Sequence, residues 1–212
     1  MSQVTKLLLL AVASYLFGAI PFGLLISRRV KGIDIRKFGS GNIGATNVVR
    51  VVGRNWGILV FFLDFLKGFV PVVATCLILT PDYPFLDRAS ILVVFAAVAG
   101  HNWPVYLKFR GGKGVSTSIG STMALSIFFP FLRLPLLISL AVWVLVFLVS
   151  RLVGLASLLC AFSLVAGCLV FAGVSPEFKL LSFIIALFIT IRHRQNIKDI
   201  LALIKSGRLK SR

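Results

Sequence analysis

Residues 57–80 read GILVFFLDFLKGFVPVVATCLILT, an apolar run whose only charged residues are Asp64 and Lys67. A helix needs about 20 predominantly apolar residues to cross the hydrocarbon core of a bilayer. The run has that length, so it predicts a membrane-spanning helix. Asp64 and Lys67 share one face of this helix, where they can neutralise one another. We therefore expect a structural ion pair that supports a nearby site.

The composition of the whole chain agrees with this run. Of its 212 residues, 58% are hydrophobic and the mean hydropathy is +1.02, which leaves too little polar surface for a soluble domain. The expected fold is an all-α polytopic membrane protein with seven transmembrane helices in a single domain, residues 1–212. The two shortest spans are expected either to extend into their flanks or to lie where the bilayer is thinner. The expected spans are residues 4–26, 57–80, 89–107, 115–132, 136–149, 152–173 and 180–191.

The basic residues indicate the orientation. Most of the 23 Lys and Arg residues fall in residues 27–56, residues 108–113, Arg151 and a basic amphipathic tail, residues 192–212. Because positively charged loops stay in the cytoplasm, we expect the N-terminus outside, and the C-terminus and the active-site loops on the cytoplasmic face. A net charge of +17 between membrane spans favours anionic headgroups and phosphorylated small molecules as partners, and no nucleic acid.

The first basic loop contains residues 39–50, GSGNIGATNVVR. Its small residues allow an anion to approach backbone N–H groups closely, as in a phosphate-binding nest. Thr46 or Asn47 could cap a short helix from Val48 onward, and Arg50 could donate two parallel hydrogen bonds to a phosphate. A flexible loop with glycines at its turns would have the same spacing. Spacing alone leaves both interpretations open.

A second basic loop includes residues 108–118, KFRGGKGVSTS. The Walker A pattern of ATP-binding proteins needs a glycine at position 107 and a serine or threonine at position 114. This chain has Leu107 and Gly114 there, so the segment does not have the pattern of an ATP-binding P-loop. The segment instead predicts a phosphate cradle at a helix N-terminus, with Lys113 as a concentrated positive charge.

The tail begins with residues 192–196, RHRQN, and continues with apolar residues at helical spacing. This pattern predicts an amphipathic helix on the inner membrane surface. His193 and Asn196 lie on one face of it. No metal and no other cofactor is expected, because the carboxylates are dispersed and neither the histidines nor the three cysteines have ligand spacing.

Together these segments resemble the bacterial acyl-phosphate:glycerol-3-phosphate acyltransferases, the PlsY family, over essentially the whole chain. The resemblance rests on residues 39–50, 100–104, 108–114 and 192–196 and on the seven-span layout with one basic face. It implies transfer of a fatty acyl group from acyl phosphate to the 1-hydroxyl of glycerol 3-phosphate, the first acylation of phospholipid synthesis, at the bacterial inner membrane. The implied partners are these two substrates and membrane lipid, without an obligate protein partner.

The resemblance also implies roles for the residues that match the family's motifs. The implied catalytic residues, which hold glycerol 3-phosphate or orient a phosphate, are Ser40, Arg50, Lys113, His193 and Asn196. Those expected to bind substrate around the acyl phosphate are Gly41, Asn42, Gly44, Thr46, Asn47, Gly111, Gly112, Gly114 and Ser150. The residues expected to support the site from behind are Asp64, Lys67 and His101.

The expected mechanism needs no covalent acyl-enzyme. Acyl phosphate is an activated mixed anhydride, so proximity and cations around the leaving phosphate can suffice. Other glycerolipid acyltransferases use a histidine and an aspartate separated by four residues. In this chain the residue at that distance from His101 is Tyr106, and Asp199 lies one position too far from His193. We therefore expect, as the resemblance also implies, that an acyl-phosphate oxygen accepts the hydroxyl proton.

Two other classes of function fit parts of the sequence. A transporter or channel for a phosphorylated small molecule could line its path with basic, glycine-rich loops. Such proteins usually place the site near the membrane midplane between repeats, whereas the candidate residues here lie at one face and no internal repeat is evident. A scaffold that binds anionic lipid would need only the charge and the tail, and it leaves both glycine-rich loops unexplained.

Overall fold

The computed structural model describes residues 2–79 and 85–206, and every regular element in these ranges is helical. Thr80, at the end of one predicted span, and residues 207–212 of the tail lie outside the described residues. Short 3₁₀ turns occur at Ile35–Lys37, Val105–Leu107 and Pro130–Leu132. The α-helices are α1 (Gln3–Gly18), α2 (Phe22–Lys31), α3 (Ala45–Val51), α4 (Arg54–Leu79), α5 (Leu86–Asn102), α6 (Val115–Phe128), α7 (Arg133–Ser150), α8 (Val153–Val170), α9 (Pro176–Arg192) and α10 (Arg194–Lys205).

The expected all-α, multi-pass membrane fold is confirmed at this level. In the described part of the chain, five helical segments are long and apolar enough to cross a bilayer. α6 is apolar but shorter, and α9 has 17 residues. The five segments are Gln3–Lys31, Arg54–Leu79, Leu86–Leu107, Pro130–Ser150 and Val153–Val170.

The helix ends differ from the expected spans in ways that have simple causes. α7 and α9 extend beyond residues 136–149 and 180–191, as expected for spans that were too short. The first span is divided into α1 and α2, because Pro21 has no N–H to donate and disfavours helix at the residue before it. α2 then continues to Lys31 and ends at Gly32, whose φ of 67° is the left-handed conformation common after a helix.

Contacts divide the chain into two compact units, residues 1–133 and 134–212. In the first unit α4 packs against α6, and α1 packs against α5. Glycines bring these backbones together: a side chain at Gly68 or Gly120 would collide with the partner helix in the α4–α6 pair. Gly18 and Gly100 have the same role between α1 and α5. Without a hydrophobic driving force in lipid, such close packing is a main source of helix association.

The second unit contains most of α7 together with α8, α9 and α10. α8 packs along α9 and also meets α10, where Gly154 approaches the side chain of Asn196. Trp143 on α7 donates its indole N–H to Ser157 Oγ on α8 over 3.3 Å. These contacts place the start of α10 beside the start of α8.

Candidate functional site

The first loop, residues 32–44, connects α2 to α3 and begins with an ion-paired turn. Asp34 caps the 3₁₀ turn Ile35–Lys37 by accepting from the backbone N–H of Arg36 at 3.1 Å. The Arg36 guanidinium also donates to both Asp34 oxygens, at 2.9 and 2.6 Å, and Arg28 Nη2 lies 3.5 Å from Oδ2. The hydrogen bonds from Arg36, helped by the charge of Arg28, hold the pKa of Asp34 well below its ordinary value.

The centre of the first loop is organised by one buried amide. Asn47 is 2% exposed, and its Oδ1 accepts from the backbone N–H of Ser40 at 2.9 Å. Its Nδ2 donates to the carbonyls of Asn42 at 2.9 Å, Phe38 at 3.0 Å and Ile35 at 3.4 Å. The amide is therefore engaged by the loop backbone on both sides. Through these hydrogen bonds Asn47 fixes the conformation of the loop around Ser40.

The short helix α3 begins earlier than expected. It starts at Ala45 after Gly44, which provides no side-chain cap, so the prediction that Thr46 or Asn47 caps a helix from Val48 was wrong. Asn42 instead turns the chain before the helix by accepting from the Gly44 N–H at 2.8 Å.

Several predicted site residues of the first loop and of α3 are exposed. Among the predicted site residues of the first loop and α3, those exposed are Ser40, Gly41, Thr46 and Arg50. Asn42 and Gly44 are partly buried, while Val48 on the other side of α3 is completely buried. The first loop thus presents the Ser40 hydroxyl outward, and α3 presents the Arg50 guanidinium outward.

An apolar cluster holds this loop and its neighbour in place. The second loop, residues 103–114, connects α5 to α6 and contributes Leu107 to the cluster. Because Leu107 packs in the same cluster as α3 and the 3₁₀ turn of the first loop, both glycine-rich loops rest on one core. The buried members are Leu24, Ile35, Ile43, Val48, Val52, Val60 and Leu107.

The second loop is shaped by the end of α5. Gly111 donates its N–H to the Asn102 carbonyl at 3.2 Å, and Gly112 donates to the His101 carbonyl at 3.0 Å. A side chain at Gly111 would collide with these carbonyls, and one at Gly112 would collide with the His101 ring. The two glycines therefore serve packing, and their N–H groups bond to α5. The donors left for an anion are those of the first turn of α6, next to Lys113.

Three buried ionisable residues lie behind the second loop. Lys67 Nζ is 2.8 Å from Asp64 Oδ1 and 3.4 Å from His101 Nδ1. His101 Nδ1 is 3.7 Å from Asp64 Oδ1, and the Lys67 ammonium lies 5.1 Å from the centre of the Phe22 ring. All three side chains are at most 5% exposed. Asp64, Lys67 and His101 thus come together as a compensated cluster, with the His101 ring directly against Gly112.

The other predicted residues belong to the second unit. His193 lies between α9 and α10 and donates from Nδ1 to the Ile189 carbonyl at 2.8 Å, so neutral His193 carries its proton on Nδ1. Asn196 is in the first turn of α10, against Gly154. Ser150 donates to the Val146 carbonyl at 2.6 Å and accepts from the Leu152 N–H at 3.2 Å. Its hydroxyl thus closes the end of α7.

One polar residue of the first unit was missed by sequence reasoning. Asn102 is the last residue of α5 and is fully buried, with its carboxamide next to Gly114. The signal that could have found it is its place directly after His101, in a segment that already supported the family resemblance.

The chain matches known proteins over almost its whole length. Residues 8–203 match the family model described as glycerol-3-phosphate acyltransferase. A glycerol-3-phosphate acyltransferase of Aquifex aeolicus is 41% identical over 196 residues, which cover 92% of this chain and 96% of the relative. Glycerol-3-phosphate acyltransferase 3 of Dehalococcoides mccartyi (strain CBDB1) is 42% identical, with 94% of each chain covered.

Two solved structures share the fold. Both are crystal structures of PlsY, described as an integral membrane glycerol 3-phosphate acyltransferase. The glycerol 3-phosphate form superposes with a TM-score of 0.80 at 40% identity, covering 93% of this chain and 92% of the other. The lysophosphatidic acid form gives a TM-score of 0.78 at 39% identity, with the same coverage.

Proposed function

The chain belongs to the glycerol-3-phosphate acyltransferase family, and from this premise we propose that it acylates glycerol 3-phosphate with acyl phosphate as the donor. The products are lysophosphatidic acid and inorganic phosphate. The protein is a multi-pass membrane enzyme, so a donor with a fatty chain reaches it from the bilayer while the polar acceptor arrives from water. The single observation that carries the proposal is the match to PlsY at 40% identity over 93% of the chain.

The geometry of the first unit supports this activity. Two loops with exposed or half-exposed cationic side chains, Arg50 and Lys113, rest on one apolar cluster. Both substrates carry a phosphate, and the donor carries an alkyl chain that needs an apolar surface. Fixed loops hold their donors and charges in place before the substrates bind, which is the arrangement that electrostatic catalysis requires.

We assign the polar residues as follows. Ser40, Arg50 and Lys113 hold glycerol 3-phosphate, while Asn42, Thr46 and the first turn of α6 at Gly114 hold the phosphate of the donor. Gly41 and Gly44 let the first loop approach the donor closely. His193 and Asn196 keep the substrate-contacting roles that the family resemblance implies.

Several residues are assigned to support because their polar groups already have partners. Asn47 shapes the first loop through the backbone groups that it binds. Gly111 and Gly112 shape the second loop, and Ser150 closes α7. Asp64, Lys67 and His101 brace the second loop from inside the membrane. Because Asp64 and Lys67 neutralise one another, the cluster is a polar anchor that the membrane interior can tolerate.

The proposed reaction is a direct acyl transfer. The 1-hydroxyl oxygen of glycerol 3-phosphate attacks the carbonyl carbon of the acyl phosphate, a C–O ester bond forms, and the C–O bond to the leaving phosphate breaks. The hydroxyl proton passes to a phosphate oxygen of the donor, so the leaving group departs as hydrogen phosphate. The N-terminus of α6 stabilises the charge on that phosphate, while Lys113 holds the phosphate of the acceptor.

His193 tests the substrate-assisted part of this mechanism. Because neutral His193 carries its proton on Nδ1, it can donate from Nε2 to a phosphate only when it is protonated. We expect His193→Ala to lower turnover while leaving measurable activity, since the base belongs to the substrate. Complete loss of turnover with unchanged binding of both substrates would show that His193 is the base and would overturn the mechanism.

We also propose the complete topology. Seven spans, an outside N-terminus and a cytoplasmic tail in the bacterial inner membrane account for the positions of the basic residues. One catalytic domain, residues 1–212, and no obligate protein partner are part of this proposal. Accessibility of single cysteines placed at Lys37 and at Glu177 to an impermeant reagent in intact cells tests it. Labelling of residue 177 alone is expected.

The activity test uses purified protein in lipid with glycerol 3-phosphate, a chelator, and palmitoyl phosphate, palmitoyl-CoA or palmitoyl-ACP as separate donors. Lysophosphatidic acid from palmitoyl phosphate alone is expected, which would establish the donor and metal independence together. Product from a thioester would require a different donor site. Folded protein that makes no product with any donor, but takes up labelled glycerol 3-phosphate into sealed vesicles, would favour the transporter.

A further inference from the structure

Asn102 has a buried carboxamide that makes no hydrogen bond to any residue that the structure describes. The residue is 0% exposed, and within the described residues neither Nδ2 nor Oδ1 has a partner. Buried polar groups are nearly always paired, because an unpaired one loses its bonds to water without replacement. A buried amide without a hydrogen-bond partner among the described residues, in a region where the buried charges of Asp64 and Lys67 are paired, therefore needs an explanation.

The amide lies directly at the N-terminus of a helix. Gly114 precedes α6 and has a φ of 78°, in the left-handed region, and provides no side-chain cap. A Cβ at Gly114 would be 2.7 Å from Asn102 Oδ1 and 3.2 Å from Nδ2. α6 has 14 residues, so its first-turn N–H groups and its dipole form a positive end beside Lys113 and Asn102.

Two serines of α6 also have buried hydroxyls without a partner among the described residues, and Ser118 Oγ is likewise in the first turn of the helix. Ser121 Oγ is also buried and without a partner among the described residues. It lies further along α6, against Gly68 of α4, inside a helix–helix contact. Asn102 thus differs from Ser121 in its position at the helix end, and its carboxamide lies against Gly114, the residue that precedes α6.

We propose that Asn102 is a binding residue of the acyl-phosphate site, donating from Nδ2 to a phosphate oxygen of the donor at the N-terminus of α6. The inference rests on the proposed function, which places the donor phosphate there. Gly114 covers the carboxamide, and glycine moves between negative and positive φ at little cost. A rotation at Gly114 uncovers the amide as the phosphate enters, and the orphaned donor gains its partner.

The role predicts an unusual combination of effects in Asn102→Leu. Leucine has a similar size and no polar atom, and among the described residues the amide has no hydrogen-bond partner that could be lost. The melting temperature should therefore stay unchanged or rise. The KM for palmitoyl phosphate should rise about tenfold, as for the loss of one hydrogen bond to a charged group. The KM for glycerol 3-phosphate should stay within about twofold.

Asn102→Asp provides a second variant of nearly the same shape. Its carboxylate replaces a donor with a negative charge next to the phosphate, so the KM for palmitoyl phosphate should rise further than in Asn102→Leu. Ser121→Ala is the matched control, because it removes an orphaned buried polar atom from the same helix away from the site. Its kinetic constants should equal those of the wild type.

Three results would overturn the inference. A lower melting temperature in Asn102→Leu with equal changes in both KM values would make Asn102 a structural residue. Unchanged KM values in both Asn102 variants would show that the amide does not bind the donor. A KM increase confined to glycerol 3-phosphate would place the other substrate there.

The proposed function can fail separately from this inference. If wild-type protein makes no lysophosphatidic acid from palmitoyl phosphate, that function is wrong, and binding of inorganic phosphate then tests Asn102 alone. Weaker phosphate binding in Asn102→Leu than in Ser121→Ala would support the site without the reaction. Equal phosphate binding in the two variants would overturn it.

Discussion

The two glycine-rich loops of the first unit are held in different ways. The first loop depends on a buried amide, because Asn47 binds backbone groups of four other residues. The second loop depends on two residues without side chains, because Gly111 and Gly112 pack directly against the end of α5. Their N–H groups donate hydrogen bonds to carbonyls of that helix. The comparison teaches that glycine-rich segments of similar composition can be sensitive to different changes: the first to hydrogen-bonding chemistry, the second to volume.

The largest effect is expected from the charge that the second loop carries. Lys113→Ala should lower kcat/KM by about 100- to 1000-fold, since a concentrated charge on a phosphate is lost from a partly desolvated site. The measurement is initial rates of lysophosphatidic acid formation. Lys205→Ala, which removes an exposed lysine from α10, is the control and should spare the chemistry. Equal losses in both variants would indicate general electrostatics.

The first loop should be most sensitive to a change in the hydrogen bonding of the Asn47 side-chain amide. Asn47→Asp keeps the size but turns the donor that faces three carbonyls into an acceptor. We expect about a 100-fold loss of activity and a lower melting temperature, because buried acceptors are left unpaired. Asn55→Asp, the same change at an exposed position of α4, should be neutral. Near-normal turnover in Asn47→Asp would refute the assignment of Asn47 as the organiser of this loop.

In the second loop, an added side chain should lower activity, and removal of the side chain that it meets should restore part of that activity. Gly112→Ala places a methyl group against the His101 ring, and we expect a loss of about tenfold to 30-fold from the forced shift. Because the obstacle is a side chain, His101→Ala in the same protein should restore part of the loss. The measurement is kcat/KM for the two single variants and the double variant.

Gly111→Ala is the control for that repair. Its obstacles include the carbonyls of His101 and Asn102, which His101→Ala leaves in place, so no rescue is expected. If His101→Ala failed to improve Gly112→Ala, the glycine would be required by the substrate and not by packing.

The smallest effect is expected at the entrance of the first loop. Arg36 holds the pKa of Asp34 below its ordinary value of 3.8, so the ion pair stabilises the fold above that pH and is lost only as the pH falls through the depressed pKa. Asp34→Asn should therefore lower the melting temperature slightly at neutral pH, with turnover within about twofold. The gap to wild type should shrink below about pH 4.

Arg36→Gln removes the other partner of this pair and should reproduce the same pH curve. Melting curves of both variants between acidic and neutral pH make the comparison. A gap that widened on acidification would have the opposite sign and would rule out the ion pair as its cause.

The sequence predicted the membrane class and the polar segments well, because both depend on local pattern. Apolar runs such as residues 57–80 give the spans, and the pairing of Asp64 with Lys67 followed from the cost of placing charges in a membrane. The contact of His101 with this pair was found only in the structure. The prediction from sequence failed at the α3 start, where Gly44 rather than Thr46 or Asn47 precedes the helix. Short helices are set by tertiary contacts more than by caps.

Composition and spacing by themselves determined that this chain crosses a membrane and carries two basic, glycine-rich loops. Only the tertiary structure decided what each polar group does. The Asn47 amide, the glycines packed on α5 and the orphaned Asn102 amide all depend on which backbone lies opposite them. The periodicity of a sequence indicates which of its residues are buried. The hydrogen-bond partner of a buried donor or acceptor belongs to another segment, which comes close only in the folded chain.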